Sequence, residues 1–578
     1  MRKNRLWLVV AITIAYSLPL AAQPTFPENG VANPRHGHYA FTNATIVKDA
    51  STTISNATLV VKDGKILAVG ANLKVPAGAV EVDCKGKFIY PSFIDIYSDY
   101  GIPAPQRAAG GGGFNFAQPA QLETATKGAY GWNQAIKSDV DAYKVFSVDD
   151  AKAKPLREAG FGTVLSHVKD GIARGTGVVV SLANEKENLV IIKDKASAHY
   201  SFSKGTSTQS YPGSMMGMIA LLRQTFLDAQ WYKTKPAAEG LNLSLQSWND
   251  NQGLPQIFEA NDKWNNLRAD RIGDEFGVQY IIKSGENEYQ RIKEMKSTNA
   301  TFIVPLNYPA AQDVEDPNDA RFVSLNDMKH WELAPANAAA FEKAGIPFCL
   351  TTADLRSVNQ FWTNLRKAME YGLSENKVLE ALTKTPATTL GIYDKVGSLD
   401  AGKWANFLIT NGSLFDAKTA IQYNYVQGNK YVIKDDNFIA GTYNVTINTP
   451  SGDEKYTLDV KSTSSVTMFG KDTLNTKFSQ DGKVVKLSFA PKPVRQRPSG
   501  APEGGQRPPT AGGFGRGGAG TDATLPANAP RLSGISSGQE WNGTGIDSLG
   551  NPLTWTATFV KAAEPKPDTT KKKDAPVI

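Results

Sequence analysis

From residue 91 to about residue 391, segments of strand character alternate with segments of helical character. The apolar runs at residues 161–165 and 279–282 are two of the strands, and Ser374 is a good N-cap for the closing helix. This alternation is typical of parallel β/α units. Because about 300 residues of it fit one (β/α)8 barrel with insertions, we predict an α/β fold with a TIM-type barrel over residues 91–392.

Two stretches of alternating polar and apolar residues, 38–90 and 393–435, flank the predicted barrel. In the first, Asp63 and Gly64 form a turn between two strand-like runs, which is a strong hairpin signal. We predict that the two stretches form one split β-sandwich domain. Alternation returns over residues 440–563 and predicts a C-terminal antiparallel β domain, a small sandwich or barrel.

Three further segments have compositions that do not support a packed core. Pro, Gly and Arg dominate residues 491–525, which we predict to be a disordered loop within the C-terminal domain. Four glycines at residues 110–113 predict a flexible loop, and the Lys-rich tail at residues 564–578 is predicted to be disordered.

The first 22 residues combine a basic start, an apolar run and a small-residue end, which is the pattern of a secretory signal peptide. The run is short for a bilayer span, so we expect a soluble periplasmic or extracellular protein without an integral membrane segment. No cysteine lies at the cleavage point, which argues against an N-terminal lipid anchor. Cys84 and Cys349 lie in strand-like runs and are expected to be free core residues. The net charge of +7 is spread along the chain, so no nucleic-acid partner is expected.

Four motifs occur in a fixed order along residues 40–430. Residues 83–95 end in Pro-Ser-Phe-Ile-Asp, residues 211–217 read Tyr-Pro-Gly-Ser-Met-Met-Gly, and residues 383–391 read Thr-Lys-Thr-Pro-Ala-Thr-Thr-Leu-Gly. Residues 396–406 form the fourth motif and end in Asn406, where an aspartate is usual. Together these motifs resemble the amidohydrolase superfamily, in its imidazolonepropionase-like branch.

The resemblance implies a metal-dependent hydrolase of C–N bonds. In the family, the metal lies at the C-terminal mouth of the barrel. A His-x-His pair ending strand one, single histidines on strands five and six, and an aspartate on strand eight surround it. Neutral imidazoles and a carboxylate hold a divalent ion that acidifies a bound water.

This sequence departs from the family pattern at each histidine position. Tyr97 and Asp99 replace the His-x-His pair, Glu259 stands at the strand-five position and Ser284 at the strand-six position. Asp354 matches the strand-eight aspartate and is the one family-type catalytic candidate. We therefore expect these five positions to surround a mouth without zinc, and we expect no cofactor.

The chain contains five histidines. His36 and His38 have His-x-His spacing but precede the first strand, far from the end of barrel strand one. His167 follows an early barrel strand and could face the mouth, but it has no histidine neighbour, so we expect a packed or hydrogen-bonded role. His199 and His330 lie in segments without ligand-like partners. The four histidine ligands of the family cannot be assembled from this set.

Three interpretations follow. In the first, the chain is a pseudoenzyme in a homo- or hetero-oligomer, supporting a partner such as a metal-competent amidohydrolase through a large apolar patch on the barrel helices or the terminal domain. In the second, Asp99, Glu259 and Asp354 converge on Mg²⁺, Mn²⁺ or Ca²⁺, and the protein hydrolyses C–N bonds in small amides or peptides. In the third, Trp541 and Trp555 form a stacking platform for carbohydrate or surface binding, although core packing explains both residues equally well.

Overall fold

The structure is a computed structural model. It describes residues 37–106, 120–234, 240–434, 439–449, 452–462, 464–491, 525–526, 528–537 and 539–562. The predicted signal peptide, the glycine loop at 110–113, His36, the tail at 564–578 and nearly all of the loop at 491–525 lie outside these residues. The chain divides into two compact units, one up to Tyr431 and one from Val432 onward.

Strands and helices alternate through the first unit, and strands alone form the second. In the part of the chain that the structure describes, the strands are β1 (His38–Asp49), β2 (Thr52–Lys62), β3 (Lys65–Ala71), β4 (Val80–Asp83), β5 (Phe88–Pro91), β6 (Phe93–Ser98), β7 (Phe161–Ser166), β8 (Ala173–Ser181), β9 (Ile191–Ser201), β10 (Gln256–Glu259), β11 (Tyr280–Lys283), β12 (Phe302–Pro305), β13 (Phe348–Thr351), β14 (Phe407–Thr410), β15 (Ile421–Val426), β16 (Asn429–Val432), β17 (Gly441–Thr449), β18 (Gly452–Ser462), β19 (Ser465–Phe469), β20 (Thr473–Asp481), β21 (Val484–Pro491), β22 (Arg531–Ser537), β23 (Glu540–Ile546) and β24 (Pro552–Ala562). The helices are α1 (Ala142–Val145), α2 (Asp150–Glu158), α3 (Glu187–Val190), α4 (Met215–Thr234), α5 (Leu243–Asp250), α6 (Lys263–Phe276), α7 (Ile292–Ser297), α8 (Pro317–Ala320), α9 (Leu325–Leu333), α10 (Asn337–Ala344), α11 (Phe361–Glu370), α12 (Glu375–Leu382) and α13 (Lys384–Thr389).

One sheet of the first unit joins sequence from both sides of the barrel. Its strands follow the order β16-β15-β14-β5-β1-β2-β3, and β4 pairs with β1. The antiparallel pair of β14 with β5 places Phe407 opposite Pro91. Phe41, Leu59 and Phe407 belong to one buried apolar cluster on this sheet. The stretches 38–90 and 393–435 therefore meet through backbone hydrogen bonds, although some 300 residues separate them.

Strands β6 to β13 form the barrel sheet, with neighbours in chain order, which confirms the predicted TIM-type barrel. Its strands are parallel except β8, which runs antiparallel to both β7 and β9. A parallel crossover needs about a dozen or more residues, whereas only residues 167–172 link β7 to β8. The short link forces β8 to turn back, so the prediction of uniformly parallel β/α units was wrong at this strand.

A buried carboxylate links the first and last strands of the barrel. Asp95 of β6 accepts hydrogen bonds from Thr351 Oγ1 at 2.6 Å, Thr352 N at 3.0 Å and Thr352 Oγ1 at 2.5 Å. It also accepts a bond from Tyr97 N at 3.0 Å. Burial raises the pKa of Asp95, and the bonds from the two threonines oppose that shift. Asp95 thus fixes β13 and its outgoing loop against β6.

The second unit is a closed antiparallel barrel in which β17 to β24 pair in chain order, as one of the two predicted forms. Closure pairs every strand and leaves no sheet edge. Its core includes Tyr443, Leu532, Trp541 and Trp555. Both tryptophans are buried, so the predicted stacking platform for carbohydrate or surface binding was wrong. Alternating inward positions along β23 and β24 carry both indoles into the core.

The structure also bears on the two cysteines and on the absence of a membrane-spanning helix. Cys84 and Cys349 are free and buried, as predicted, and burial raises the pKa of the Cys84 thiol to about 11. Among the helices that the structure describes, none is long and apolar enough to cross a membrane.

We predict that Asp95→Asn destabilises the first unit by about 3 kcal/mol, because the new amide group faces threonine donors and a buried polar group without a partner costs about 1–3 kcal/mol. Urea unfolding measures the change. Asp83→Asn is the matched control, since the Asp83 carboxylate is exposed and bonded to Asn43 at 2.9 Å, and it should leave the unfolding midpoint unchanged. Equal midpoints for Asp95→Asn and wild type would contradict this role.

Candidate functional site

Several charged side chains meet at one rim of the barrel, where the parallel strands end. Tyr97 lies in β6, Glu259 ends β10 and Lys283 ends β11. Glu259 and Lys283 are register partners, so they lie at the same level of the sheet. Asp354 follows the end of β13 by three residues. The rim therefore collects residues from four of the strand ends that the family pattern uses.

Arg174 enters this rim from the reversed strand. In an antiparallel strand the first residues lie where its parallel neighbours end, and Arg174 is the second residue of β8. Its Nη1 donates to Tyr97 Oη at 3.0 Å and lies 2.5 Å from Glu259 Oε2. Burial would raise the pKa of Glu259, but the charges of Arg174 and Lys283 lower it to about 2. Glu259 is thus held as a carboxylate by a buried guanidinium.

Lys283 forms the second ion pair. Its side chain is 0% exposed, and it bonds to Asp354 Oδ2 and to Asn261 Oδ1, the latter at 2.6 Å. Ser284, the predicted strand-six position, instead donates its hydroxyl to the carbonyl of Ile303 at 3.2 Å. Neighbouring side chains of a strand point to opposite faces. The side chain that joins the charged rim is therefore the ammonium group of Lys283, one residue before the predicted Ser284.

Both acceptors of Lys283 have left-handed backbones. Asn261 has a φ of 68° and Asp354 a φ of 66°. This region is uncommon for residues other than glycine, although Asn and Asp enter it more readily than most. Such conformations persist where the surrounding structure fixes them, and they cluster at functional sites.

Asp99 lies farther out on the rim than the two buried pairs. Its side chain is 66% exposed, and Oδ2 lies 3.7 Å from Lys169 Nζ. The Lys169 ammonium also lies 5.3 Å from the centre of the Tyr97 ring. Burial raises the pKa of Tyr97 well above its ordinary value, so this phenol is neutral and serves as a hydrogen-bonding and cation-facing surface.

The charges at the mouth do not fit the divalent metal that the family implies. Glu259 and Asp354 are each paired with a buried cation, Arg174 and Lys283 respectively. Among the residues that the structure describes, no three histidine, cysteine, aspartate or glutamate side chains form a group that could hold a metal ion. The predicted convergence of three carboxylates is therefore replaced, in the described structure, by alternating carboxylates and cations of the chain itself.

Two histidines form a stacked pair inside the barrel. The rings of His167 and His199 lie 3.7 Å apart with planes 5° from parallel, and the His167 ring is 4.5 Å from Tyr97. Both rings are buried, as expected for a packed His167, whereas the expectation that His167 has no histidine neighbour was wrong. A Cβ at Gly177 would lie 2.6 Å from His199 Nε2, so this glycine of β8 leaves room for the pair. Burial first, and the charge of Arg174 as well, hold the pKa of both histidines well below its ordinary value.

The other described histidines lie away from the buried pairs of the mouth. His38 begins β1 in the first sheet. His330 of α9 contacts Tyr289 Oη through Nδ1 at 3.1 Å and Glu286 Oε1 through Nε2 at 3.4 Å. Sequence reasoning named Tyr97, Asp99, Glu259 and Asp354, which the structure brings to the rim. It missed Arg174 and Lys283. A signal for Arg174 was present, because it is the lone charge in the small and apolar strand Ala-Arg-Gly-Thr-Gly-Val-Val-Val-Ser.

A cavity of about 640 Å³ opens beside this network. Its volume lies in the range of ligand-binding clefts. Its lining combines charged residues of the rim with apolar residues from the loops after β6 and β13 and from α2. The lining residues are Tyr97, Ser98, Asp99, Tyr100, Ile102, Pro103, Ala104, Pro105, Ala151, Lys152, Pro155, Leu156, Lys169, Thr352, Ala353, Asp354, Leu355 and Val358.

Known proteins resemble part of the chain. A family model described as the amidohydrolase family matches residues 299–445. An imidazolonepropionase from Klebsiella pneumoniae (strain 342) is 21% identical over 392 residues, covering 64% of this chain and 88% of that protein. One from Shewanella baltica (strain OS223) is 23% identical over 402 residues, covering 65% and 90%. The crystal structure of an amidohydrolase from Thermotoga maritima MSB8 has a TM-score of 0.54 and 23% identity, covering 68% of this chain and 99% of that chain, and it supports the fold.

We predict that stability falls as the pH drops below about 6.5, the ordinary histidine pKa. His167 and His199 stay neutral in the fold but gain protons when unfolded, so their contribution is present above that pH and is lost below it, by up to about 1.4 kcal/mol per pH unit for each histidine. Urea unfolding at several pH values between 5 and 8 measures the slope. His167→Phe should reduce the slope, and His167→Phe with His199→Leu should reduce it further. A wild-type slope in the double variant would contradict this account.

Proposed function

Because this chain belongs to the amidohydrolase superfamily, in its imidazolonepropionase-like branch, we propose that it is an exported pseudoenzyme that binds or supports a partner. In this proposal the barrel mouth has exchanged the metal of its relatives for charges of the chain. The signal-peptide pattern of residues 1–22 supports export to the periplasm or beyond.

Lys283 carries the proposal. Its ammonium group is buried at the end of β11 and is bonded to Asp354, which we align with the strand-eight aspartate of the family. A divalent ion about 4 Å from an ammonium is repelled by about 8 kcal/mol at an effective dielectric constant near 20. Binding would also have to separate Asp354 from its buried partner. Both costs oppose the metal that activates water in the family.

Arg174 of β8 likewise opposes metal binding at Glu259, which ends β10. Its guanidinium bonds both Glu259 and Tyr97, so the carboxylate already has a full charge partner. A guanidinium stays protonated in proteins, and this cation is therefore a permanent part of the mouth. The hydrolysis of C–N bonds by a carboxylate-held Mg²⁺, Mn²⁺ or Ca²⁺ remains the rival function, since Asp99 and Asp354 expose carboxylate surface.

We predict that the purified full chain contains no stoichiometric metal and that a chelator leaves its melting temperature unchanged. Calorimetric titration with Zn²⁺, Mg²⁺, Mn²⁺ and Ca²⁺ should give no binding heat, because Lys283 and Arg174 neutralise the two carboxylates. Asp354→Asn should lower stability by about 3–5 kcal/mol, since it leaves the buried Lys283 ammonium without its charge partner. Asp459 in the second unit, 4.0 Å from the exposed Lys461, provides the control Asp459→Asn, which should be neutral. Stoichiometric metal that Glu259→Gln removes would establish the rival function.

An exposed apolar helix supports the partner-binding part of the proposal. In α9, as the structure describes it, none of the residues is buried. Leu325, Met328 and Trp331 of α9 are exposed apolar residues that recur at every third position. Phe322, three residues before Leu325, lies just outside the helix and is 87% exposed. Large exposed apolar surfaces mark interaction sites. We name these four residues the α9 patch and assign it to contact with an active amidohydrolase or a second copy of this chain.

We predict that Phe322→Ser with Trp331→Ser abolishes this association. Pull-down from the native host followed by mass spectrometry should recover an amidohydrolase with the wild-type chain, or light scattering should give a homo-oligomer. Leu549 is also strongly exposed but lies in the second unit, so Leu549→Ser is the matched control and should preserve association. A wild-type monomer with no amidohydrolase enriched would contradict the proposal.

A further inference from the structure

We propose that the cavity at the barrel mouth binds a small zwitterion with an aliphatic side chain, of the class of free α-amino acids. This inference rests on the proposed function, because it requires a mouth whose charges belong to the chain and not to a metal. It adds a ligand class to that site.

Partly exposed charges of both signs line the cavity. Asp99 and Asp354 expose 66% and 44% of their side chains, and Lys169 and Lys152 expose 31% and 64%. The buried cations Arg174 and Lys283 are less available, because each is already bonded to a carboxylate. A ligand in the cavity thus meets two partly exposed carboxylates and two partly exposed ammonium groups.

These exposed groups have spare hydrogen-bonding capacity. Lys169 Nζ lies 3.7 Å from Asp99 Oδ2, which is beyond hydrogen-bond length, so a ligand carboxylate can take up its donors. Lys283 engages Oδ2 of Asp354, and Oδ1 remains an acceptor for a ligand ammonium. The left-handed backbone of Asp354, with a φ of 66°, indicates that the surroundings hold this residue at the mouth in an uncommon conformation.

The charge balance selects between ligand classes. Among the residues that line the cavity, the two cations Lys152 and Lys169 match the two carboxylates Asp99 and Asp354 in number. A net anion would be drawn to Lys169 but repelled by two exposed carboxylates, and a net cation would leave Lys169 without a new partner. A zwitterion satisfies both signs without changing the net charge of the site.

The remaining wall of the cavity is apolar. Ile102, Leu156 and Val358 line it together with several prolines. Its volume of about 640 Å³ exceeds what the two charged ends of an amino acid require, and apolar side chains of a ligand gain about 25 cal/mol per Å² when they leave water. The wall therefore favours an aliphatic side chain over a polar one.

The test uses four probes against the full chain in calorimetric titrations: L-leucine, glycine, N-acetyl-L-leucine and L-leucinamide. L-leucine should bind, and the anion, the cation and glycine should each bind about 10-fold or more weakly. Lys169→Met should weaken L-leucine binding about 10-fold while leaving L-leucinamide unchanged. Asp99→Asn should weaken L-leucine while leaving N-acetyl-L-leucine unchanged. Lys461→Met is the charge-matched control and should leave L-leucine binding at the wild-type value.

Absence of heat with all four probes overturns the inference, and so does equal affinity for L-leucine and N-acetyl-L-leucine. Metal content of the same sample separates the two proposals. Failure of binding in metal-free protein overturns the ligand class alone, whereas stoichiometric metal with hydrolysis of an amide probe overturns the proposed function itself. Unchanged L-leucine binding in both Lys169→Met and Asp99→Asn would place the ligand elsewhere and also overturn the inference.

Discussion

The four hydrogen bonds to Asp95 position the whole mouth. Thr351 and Thr352 bond to its two oxygens, and Asp354 follows two residues later. Tyr97 donates its backbone N–H to the same carboxylate at 3.0 Å. One buried side chain thus sets the separation between strand β6, which carries Tyr97, and the loop that carries Asp354. The ion pairs of the rim can form only after this separation is fixed.

The two ion pairs Arg174–Glu259 and Lys283–Asp354 account for the charge distribution at the barrel mouth. They do not by themselves increase the free energy of unfolding. Removing a pair and filling its place with apolar groups is often neutral or stabilising, whereas removing one partner leaves a costly buried charge. Arg174 and Glu259 therefore depend on each other, and the buried Lys283 depends on Asp354, whose own side chain is 44% exposed.

The sequence was sufficient for the barrel, for the joining of residues 38–90 with residues 393–435 and for a β-structured C-terminal unit, because each rests on periodicity or ordered motifs over many residues. Ser284 and Lys283 could not be separated, since alignment by motif is accurate to about one residue and one residue reverses the face. The contact between His167 and His199 could not be predicted from the sequence either. It depends on Gly177 in the strand between them, which is a packing condition and not a local pattern.

The reversal of β8 connects these features. The link at residues 167–172 is too short for a crossover, so β8 must run antiparallel. Its first residues then lie at the rim and not at the opposite end of the barrel. Arg174 is among them, and it reaches Glu259 and Tyr97. Had the link been long enough for a helix, the same arginine would lie at the far end of the barrel, and Glu259 would be a carboxylate open to a metal ion. The short link at residues 167–172 thus places at the rim one of the two buried cations that pair with its carboxylates.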